Sequence, residues 1–341
     1  MPGTPKDVST PPRSPLTDGT VREALATGLD EVSRPRLEQF TTFLANAFGP
    51  TAVALIHYGS HAHGAGATAE SAHDFFAIVD SYSDAYRSLA ATVGTRYRPG
   101  MATLLNRVLP PNVIAIADPD ATPRAQAKVA VFSLRAFRRA CSPRSADLFA
   151  RGRLFQVARL VWARDEQSRL AVVTAMLEAR AGSFEWGRAF LRGPFDVETY
   201  CRILLTTAFA SEIRPETADR LASLLDVQRA TLHRMYAPLL SWLERAGALR
   251  HDGAFYRTVA DHGTWDALLS SVYMRRSKLR ATLRWAKYVA LYDDWLDYVV
   301  GKIARRSGVA IELSSRERRW PLIFLWPKAI RFLRSRPQRQ G

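Results

Sequence analysis

The sequence predicts an α+β protein in which a small mixed sheet packs against helices. Four short apolar runs bounded by turn residues predict strands over residues 52–57, 75–79, 113–117 and 128–132. Helical or irregular stretches lie between these runs, and from Ser133 onward the apolar spacing is almost wholly helical. The 341 residues, 47% of them hydrophobic, are enough for two or three domains with cores of their own.

The N-terminal part of the chain is expected to hold a tail followed by the sheet domain. Residues 1–20 carry five prolines together with Ser, Thr and Gly, a composition typical of a flexible tail. Residues 21–48 place apolar side chains at helical spacing and predict a helix. We assign residues 21–165, which include this helix and all four strands, to the first domain.

Residues 166–270 are expected to form a mostly helical domain with a winged-helix-like end. Apolar residues between positions 239 and 243 form a helix face, and Gly247 then interrupts the helical pattern. Two short strands follow, joined by an Asp252-Gly253 turn. Winged helices often bind DNA, but a module that only packs against its neighbours fits the pattern equally well.

The last segment, residues 271–341, is strongly basic. From Val272 onward it has seventeen Lys or Arg against five Asp or Glu, which accounts for twelve of the net charge of +16. A long helix is predicted over residues 275–306, and Pro327 can begin a short amphipathic basic helix. The long helix carries basic residues along one face and an adjacent mainly aromatic stripe: Arg276, Arg280, Arg284 and Lys287, then Trp285, Tyr288, Tyr292, Trp295 and Val299.

This pattern allows two interpretations of the segment. It can dock on an anionic membrane surface, where each Lys or Arg contributes on the order of 1 kcal/mol. It can equally be an ordinary helix with an aromatic core face and a solvated basic face.

Composition excludes several classes of protein. The apolar fraction excludes wholesale disorder. The apolar hexapeptide at residues 321–326 is far shorter than the roughly 18 to 20 residues that cross a bilayer, and the N-terminus has no secretion signal. Only Cys141 and Cys201 occur, without pairing or metal spacing, which favours a reducing compartment. We therefore expect a cytoplasmic protein that is peripheral on the inner face of the cell membrane.

The motif that bears most on chemistry is Tyr58-Gly59-Ser60 followed by Asp74. An apolar run leads into a small-residue turn, and a carboxylate then opens a second apolar run. Glycine lets a backbone approach a phosphate closely, and the Ser60 amide or hydroxyl can bond a phosphate oxygen. Asp74 can bind the Mg²⁺ that accompanies a nucleoside triphosphate. The spacing resembles that of polymerase-β-like nucleotidyltransferases.

That fold usually has a second acid two residues after the first, on the same strand face, and here the position is Phe76. Asp80 shares the face but lies roughly 20 Å along the strand at about 3.3 Å per residue. Asp118 is our first candidate for the second metal ligand and Asp120 the second, although an Asp beside Pro119 often only forms a turn.

Two further groups of residues could contribute to a site around this motif. Lys128 begins the fourth apolar run and can neutralise a triphosphate as a point charge, although a lone lysine is usually a solvated strand end. Four histidines, at positions 57, 61, 63 and 73, lie around the turn. The lack of an accompanying Cys and the flexible Ala and Gly residues around them argue against a structural zinc site.

Several motifs resemble, in the same order, a family of CDP-diacylglycerol synthases, the mitochondrial translocator-assembly-and-maintenance type with bacterial members. Tyr58-Gly59-Ser60 and the run from Asp74 to Asp80 are similar to the family's Tyr-Gly-Ser and Asp-Phe-hydrophobic-x-hydrophobic-x-Asp, in which the second acid is also absent. Residues 128–133 resemble Lys-x-Gly-Val-Val-Ser, with Ala130 for Gly. Residues 147–154 resemble Leu-Tyr-x-Ala-Gly-Arg-Leu, with Phe149 for Tyr.

The resemblance covers roughly residues 50–215 and has departures. The Lys-Pro that often follows the third block is absent, and Arg96-Tyr97 is the nearest equivalent of the family's histidine-tyrosine-serine element. A weaker match, Ser211 to Arg214, lies where the family has Asp-x-Arg.

The resemblance implies a Mg²⁺-dependent phosphatidate cytidylyltransferase that makes CDP-diacylglycerol and pyrophosphate from CTP and phosphatidate. It implies that Asp74 binds Mg²⁺ and that Lys128 and Arg153 neutralise phosphates. Tyr58, Gly59, Ser60, Lys128 and Arg214 would then contact the nucleotide, and no nucleic acid would be a partner. Two alternatives stay open: a nucleotidyltransferase acting on tRNA or a small polar acceptor, and a non-catalytic winged-helix DNA-binding or membrane-associated protein.

Overall fold

The computed structural model describes residues 14–29, 35–64, 71–94, 98–117, 126–212, 217–260, 264–291 and 313–319. The chain divides into two units, residues 1–285 and 286–341. The first unit combines helices with a mixed five-stranded sheet, as the α+β prediction requires. In the second unit only residues 286–291 and 313–319 are described, so the helix predicted from Pro327 and the apolar hexapeptide lie outside the described residues.

The sheet is built from five strands in the spatial order β3-β4-β2-β1-β5. Strands β2 and β4 are parallel, and the other three neighbouring pairs are antiparallel. All four predicted strands are confirmed to within two residues, and the fifth was not predicted. The strands are β1 (Ala52–Tyr58), β2 (His73–Val79), β3 (Asn112–Ala117), β4 (Gln126–Ser133) and β5 (Arg159–Ala163).

Both faces of the central strands are covered, which explains why their sequences are continuously apolar rather than alternating. Every residue of β1 is buried. One face carries Phe75, whose ring lies 5.9 Å from that of Phe40 in the helix Pro35–Phe48. The opposite face carries Ile56, Phe76 and other apolar residues that belong to the same core as the later helices.

The region predicted as one helix over residues 21–48 contains two helices, so that prediction was wrong in its continuity. Helix α1 (Gly19–Ala26) ends shortly before Gly28, which has a φ of 75° that favours glycine. The carbonyl of Leu29 then accepts a hydrogen bond from the Leu160 amide at the edge of the sheet. Helix α2 (Pro35–Phe48) follows and packs on the sheet.

Between and beside the strands, the structure describes shorter helices. Helix α3 directly follows Gly59, two helices precede β3, and two more surround the third sequence block. They are α3 (Ser60–His63), α4 (Tyr82–Val93), α5 (Pro99–Val108), α6 (Leu134–Cys141) and α7 (Arg151–Leu154).

The later part of the first unit is helical except for one hairpin. The helices are α8 (Glu166–Ala181), α9 (Ser183–Gly187), α10 (Val197–Ala210), α11 (Ala218–Arg245) and α12 (Thr264–Leu291), of which α12 ends beyond the boundary at residue 285. After α11 the chain turns at Gly247 and forms the hairpin β6 (Leu249–Asp252) and β7 (Phe255–Thr258). The helix, break and hairpin predicted for residues 237–259 are therefore confirmed as local structure. None of the described helices has an apolar stretch long enough to span a bilayer.

A fully buried arginine joins α1, α7 and α8. The guanidinium of Arg180 donates hydrogen bonds to four carbonyl oxygens: those of Leu25, Thr27, Leu154 and Gln156, over 2.5 to 3.1 Å. Burial lowers the pKa of Arg180 to about 10, so the group stays charged at neutral pH. Arg180 therefore ties the N-terminal helix to the rest of the unit.

The bounds of helix α12 and the exposure of its basic and aromatic side chains differ from the prediction. It begins eleven residues earlier than predicted, and residues 292–306 of the predicted helix lie outside the described residues. Arg284, predicted on a solvated face, is only 7% exposed and forms a salt bridge to Asp147, which Arg280 also contacts. Trp285, predicted on a core face, is 51% exposed. The reason is long-range: the buried carboxylate of Asp147 draws the basic side of α12 inward.

Candidate functional site

The sheet brings three of the predicted site residues side by side. Asp74, the second residue of β2, pairs with Tyr58 of β1 on one side and with Lys128 of β4 on the other. Because residues directly opposite in neighbouring strands point to the same face, all three side chains lie on the face toward the later helices. The predicted proximity of Asp74 and Lys128 is therefore found in the structure.

Gly59 is required by how closely its backbone approaches Asp74. Its φ of 82° favours glycine. A Cβ atom added at this position would lie 2.7 Å from Oδ2 of Asp74, closer than nonbonded atoms approach. Any larger residue would therefore displace the carboxylate. Ser60 follows as the first residue of α3, half-buried beside this contact.

Asp74 is a largely desolvated carboxylate. Burial raises its pKa, and the positive charges of Lys128 and Arg153 oppose this effect only in part. His61 contributes a further opposing charge. Among the residues that the structure describes, none forms a hydrogen bond or salt bridge with the Asp74 carboxylate. Its ionised form is therefore short of direct partners within the described chain.

Arg153 lies in α7 and is held over the site from several directions. It donates hydrogen bonds to the carbonyl oxygen of Phe149 at 2.8 Å and to the hydroxyl of Tyr58. Burial lowers the pKa of Arg153, but Glu212, Tyr58 and Asp74 together outweigh burial and the net pKa is raised. Its guanidinium stays charged at any physiological pH. The pKa of Tyr58 is raised mainly by burial, so its hydroxyl stays protonated and serves as a partner of Arg153.

Glu212 is a site residue to which the sequence assigned no role. Its carboxylate forms a salt bridge to Arg153 over 2.7 Å, and its charge raises the pKa of Asp74. Glu212 belongs to the weaker fourth match, where the related family has Asp-x-Arg, and that match was the only signal for it. Arg214, the predicted nucleotide contact two residues later, lies outside the described residues.

Phe76, which stands where a second acid is usual, is a core residue. It is fully buried, and its ring lies 4.3 Å from that of Tyr58 and 5.6 Å from that of Phe132. A carboxylate here would be surrounded by aromatic rings, so this position cannot supply a metal ligand. Asp80 is also excluded, because it forms a salt bridge to Arg164 at the other end of β2.

The candidates for the second metal ligand, Asp118 and Asp120, lie outside the described residues. Within the ranges that the structure describes, no group of three or more His, Cys, Asp or Glu side chains is arranged to hold a metal ion. Asp74 is thus the one predicted metal ligand whose surroundings can be described.

Further charged side chains, Arg284 and Asp147, lie near Arg153 on the far side of the Phe149 ring. The ring of Phe149 is flanked by two guanidinium groups, with Cζ of Arg153 at 4.1 Å and Cζ of Arg284 at 4.8 Å from its centroid. Arg284 donates hydrogen bonds to the carbonyl oxygen of Pro110 and to the carboxylate of Asp147. Helix α12 therefore contacts the site region through side chains distant in sequence, which no local pattern indicated.

The histidines around the turn form a stack rather than a cluster of converging ligands. The rings of His61 and His73 are stacked 4.1 Å apart, and Nδ1 of His73 lies 3.2 Å from Nε2 of His57. His61 also contacts the carbonyl oxygen of Ser71 at 2.9 Å. Burial, assisted by the charge of Arg220, lowers the pKa of His63 to about 4, so this side chain is neutral at pH 7.

The comparisons give this chain no relatives: no known family matches its sequence, and no curated protein is significantly similar to it. The candidate site combines a half-buried carboxylate, a glycine turn in contact with it, a lysine on the same sheet face and an arginine from α7. Such an arrangement can hold a polyanion through cationic side chains and a divalent cation through the carboxylate.

Proposed function

We propose that this chain is a nucleotidyltransferase that transfers the cytidylyl group of CTP to phosphatidate, forming CDP-diacylglycerol and pyrophosphate at a membrane surface. One observation carries the proposal: the desolvated Asp74 carboxylate lies against the Gly59 turn, in register with Lys128 and within the field of Arg153. The ordered sequence blocks that resemble CDP-diacylglycerol synthases supply the same residues, and they support this choice of reaction.

The order of strands and helices around the site supports a nucleotidyltransferase fold for the sheet domain. A strand, a Gly-Ser turn, a short helix and a second strand that begins with an acid occur in this order from Ala52 to Val79. This is the arrangement expected of a polymerase-β-like nucleotidyltransferase domain. The hairpin after α11 supports a winged-helix-like module in the same way.

The residues around Asp74 fit a Mg²⁺ ion. The carboxylate makes no hydrogen bond or salt bridge to a described residue, and oxygen is the ligand atom that Mg²⁺ prefers. Protein sites commonly bind this ion through one or two carboxylates and substrate phosphates, so Asp74 does not need a large cluster of acids around it. When bound, Mg²⁺ would neutralise charge on the triphosphate. The Asp118 carboxylate is the candidate for a second ligand.

The protein groups would act mainly by positioning the phosphates and neutralising their charge. Gly59 and Ser60 would hold the triphosphate at the end of the interior strand β1, while Lys128 provides a point charge. Arg153 can bond two phosphate oxygens with its planar fork, and its contacts with Tyr58 and Glu212 hold that fork in place.

The reaction itself is a displacement at the α-phosphorus of CTP. An oxygen of the phosphatidate phosphate forms a bond to this phosphorus, and the bond to the oxygen that bridges to the β-phosphate breaks. Pyrophosphate leaves with the electron pair. Because the attacking phosphate is already an anion, no side chain has to remove a proton from it.

A lipid acceptor also explains features that the nucleotide alone does not. The net charge of +16 and the basic, Trp-containing C-terminal segment suit an anionic membrane surface. A nucleotidyltransferase acting on tRNA would also benefit from the charge, but it would not need the apolar hexapeptide. A non-catalytic protein would leave the convergence of Asp74, Lys128 and Arg153 unexplained.

The proposal is tested by incubating the purified chain with CTP, Mg²⁺ and phosphatidate in mixed vesicles and identifying the lipid product by mass. We expect CDP-diacylglycerol from the wild type and a loss of at least about a hundredfold in Asp74→Asn, since a charged group at the reaction centre is worth several kcal/mol. Asp80→Asn is the matched control, because Asp80 ends the same strand in an exposed salt bridge. Full activity of Asp74→Asn would refute the assignment of this site.

A further inference from the structure

Helix α12 has two opposite apolar faces, and within the described part of the chain only one of them is covered. The inner face packs on the body of the unit through residues that include Tyr273, Met274 and Ser277. On the outer face four apolar side chains are 47 to 59% exposed: Leu268, Val272, Leu279 and Leu283. At 100° per residue these four side chains fall within one stripe directly opposite Ser277.

The exposed stripe is long and regular. From Leu268 to Leu283 it extends over about 22 Å at 1.5 Å per residue, which is four helical turns. The stripe consists of two apolar pairs, Leu268 with Val272 and Leu279 with Leu283, and Arg275 and Arg276 lie at the turn between them. Single exposed leucines are common on protein surfaces, but apolar pairs aligned along one helix mark a contact surface. Leu269, 63% exposed, widens the stripe at its beginning.

The basic side chains beside the stripe indicate that its partner is anionic. Arg275, Arg276 and Lys278 are exposed on this part of α12. The sequence from Ala267 to Trp285 contains no Asp or Glu that would compensate them. Two copies of this chain meeting through the stripe would place identical basic groups against each other. An anionic surface would instead attract them, with each basic group contributing on the order of 1 kcal/mol.

We propose that the outer face of α12 docks on an anionic lipid bilayer. The helix lies parallel to the membrane plane, its four apolar side chains enter the boundary between headgroups and acyl chains, and its exposed basic groups contact lipid phosphates. Most of this surface lies within the basic segment of residues 271–341, for which the sequence allowed a membrane-docking interpretation, and the proposal assigns that docking to one described helix face. Membrane docking through α12 does not require that the chain transfers cytidylyl groups.

If the proposed function holds, docking through α12 would bring the candidate site close to the membrane that contains the lipid substrate. The inner face of α12 carries Arg280 and Arg284, which contact Asp147, and Arg284 also lies on the ring of Phe149. Phe149 in turn contacts Arg153 of the candidate site. One helix therefore links the site to the surface from which a lipid substrate would come.

The inference is tested by sedimenting the full chain with vesicles of phosphatidylcholine, with and without phosphatidylglycerol, in the absence of CTP. We expect the double variant Leu279→Gln/Leu283→Gln to bind phosphatidylglycerol vesicles at least about tenfold more weakly, because it removes two side chains that transfer from water to lipid. Arg275→Gln/Arg276→Gln should weaken binding at low salt and reduce its dependence on salt. All these side chains are exposed, so circular dichroism and the thermal midpoint should change little.

The matched control is Leu170→Gln/Val227→Gln, which removes apolar side chains 55% and 51% exposed on other helices. Wild-type binding by the stripe variant, or an equal loss in the control, would overturn the inference. A lipid-free dimer that only the stripe variant converts to a monomer would assign the face to a second copy and also overturn it. Vesicle binding without synthesis of CDP-diacylglycerol would refute the proposed function and leave this inference standing.

Discussion

The ionised form of Asp74 lowers the stability of the folded protein. A carboxyl group whose pKa is raised by folding is more stable in its protonated form, so its ionised form destabilises the native state at neutral pH. Residues near a reacting centre often carry such a cost. Lys128, Arg153 and His61 reduce the cost without removing it, because none of them makes a direct contact with the carboxylate.

We therefore expect Asp74→Asn to stabilise the protein while it abolishes activity. Asparagine resembles the protonated form, so the free energy of unfolding at pH 7 should rise by up to roughly 1 kcal/mol, at the low end for an unpaired polar group because the Asp74 side chain is only half-buried. Urea unfolding of both proteins measures the difference.

The difference in unfolding free energy between Asp74→Asn and wild type should also depend on pH. Below the unfolded pKa of about 4, wild type and variant should be equally stable, since Asp74 is then protonated in both states. The advantage of the variant should appear as the pH rises through the raised folded pKa and then stay constant. A wild type more stable than Asp74→Asn at pH 7 would contradict our description of Asp74.

At this scale the sequence predicts the residues on the strands better than the residues that support them. Asp74 and Lys128 open neighbouring apolar runs, so their proximity follows from any sheet in which those runs pair. Glu212 and Arg284 join the site through contacts between positions far apart in the chain. Local periodicity contains no information about such contacts, and only the weak match at Ser211–Arg214 pointed to one of them.

Helix α12 is the element whose role differs most from its sequence pattern. Its basic positions were expected in solvent, yet Arg280 and Arg284 converge on Asp147, whose carboxylate is only 8% exposed. Burial raises the pKa of Asp147, but the charge of Arg284 and the hydrogen bonds from both arginines outweigh it and hold the pKa below its usual range. In contrast to Asp74, Asp147 stabilises the folded protein in its ionised form.

We expect Asp147→Asn to destabilise the protein by about 3 kcal/mol at pH 7, because the variant leaves the guanidinium of Arg284 buried without its counter-charge. A carboxyl group with a lowered folded pKa contributes stability above its unfolded pKa of about 3.9 and loses it as the pH falls through the folded value. The difference from wild type should therefore shrink in acid.

Asp226→Asn provides the control for this prediction. Asp226 also pairs with an arginine, Arg229, but on the exposed surface of α11, where a salt bridge contributes little. Urea unfolding at pH 7 and in acid measures all three proteins. Equal stability of Asp147→Asn and the control variant at pH 7 would show that Asp147 does not anchor α12.

Among the elements, strands were predicted more reliably than helix ends. The four predicted strands are apolar on both faces and bounded by turn residues, which makes them visible as runs. Strand β5 was missed because Arg159–Ala163 begins with arginine and is only half-buried at most of its positions. The predicted helix over residues 21–48 ignored Gly28, although a glycine inside a helical pattern signals a possible end.

At the scale of the whole molecule, one buried cation joins distant parts of the first unit. Arg180 donates to carbonyl oxygens that follow or end α1 and α7, which are separated by more than a hundred residues of sequence. The hydrogen-bond partners described for Arg180 are carbonyl oxygens and include no carboxylate, so carbonyl dipoles stabilise its charge.

We expect Arg180→Met to destabilise the protein by about 2 to 3 kcal/mol, because methionine fills part of the space but leaves four buried carbonyl oxygens without donors. The loss should be largest where α1 meets the body. Hydrogen exchange of the α1 amides should accelerate more than that of the central strands. Uniform acceleration across the unit, or none, would contradict the role of Arg180 as the tie to α1.

The proposed reaction requires CTP as the donor and phosphatidate as the acceptor, and a competition experiment tests both. The purified chain is incubated with Mg²⁺, CTP labelled at the α-phosphate, phosphatidate vesicles and tRNA, and the label is followed into each acceptor. We expect the label to enter lipid as CDP-diacylglycerol, with one pyrophosphate released for each lipid formed and no transfer in Asp74→Asn. Label in tRNA or no label in either acceptor, with phosphatidate unchanged, would contradict the proposed function.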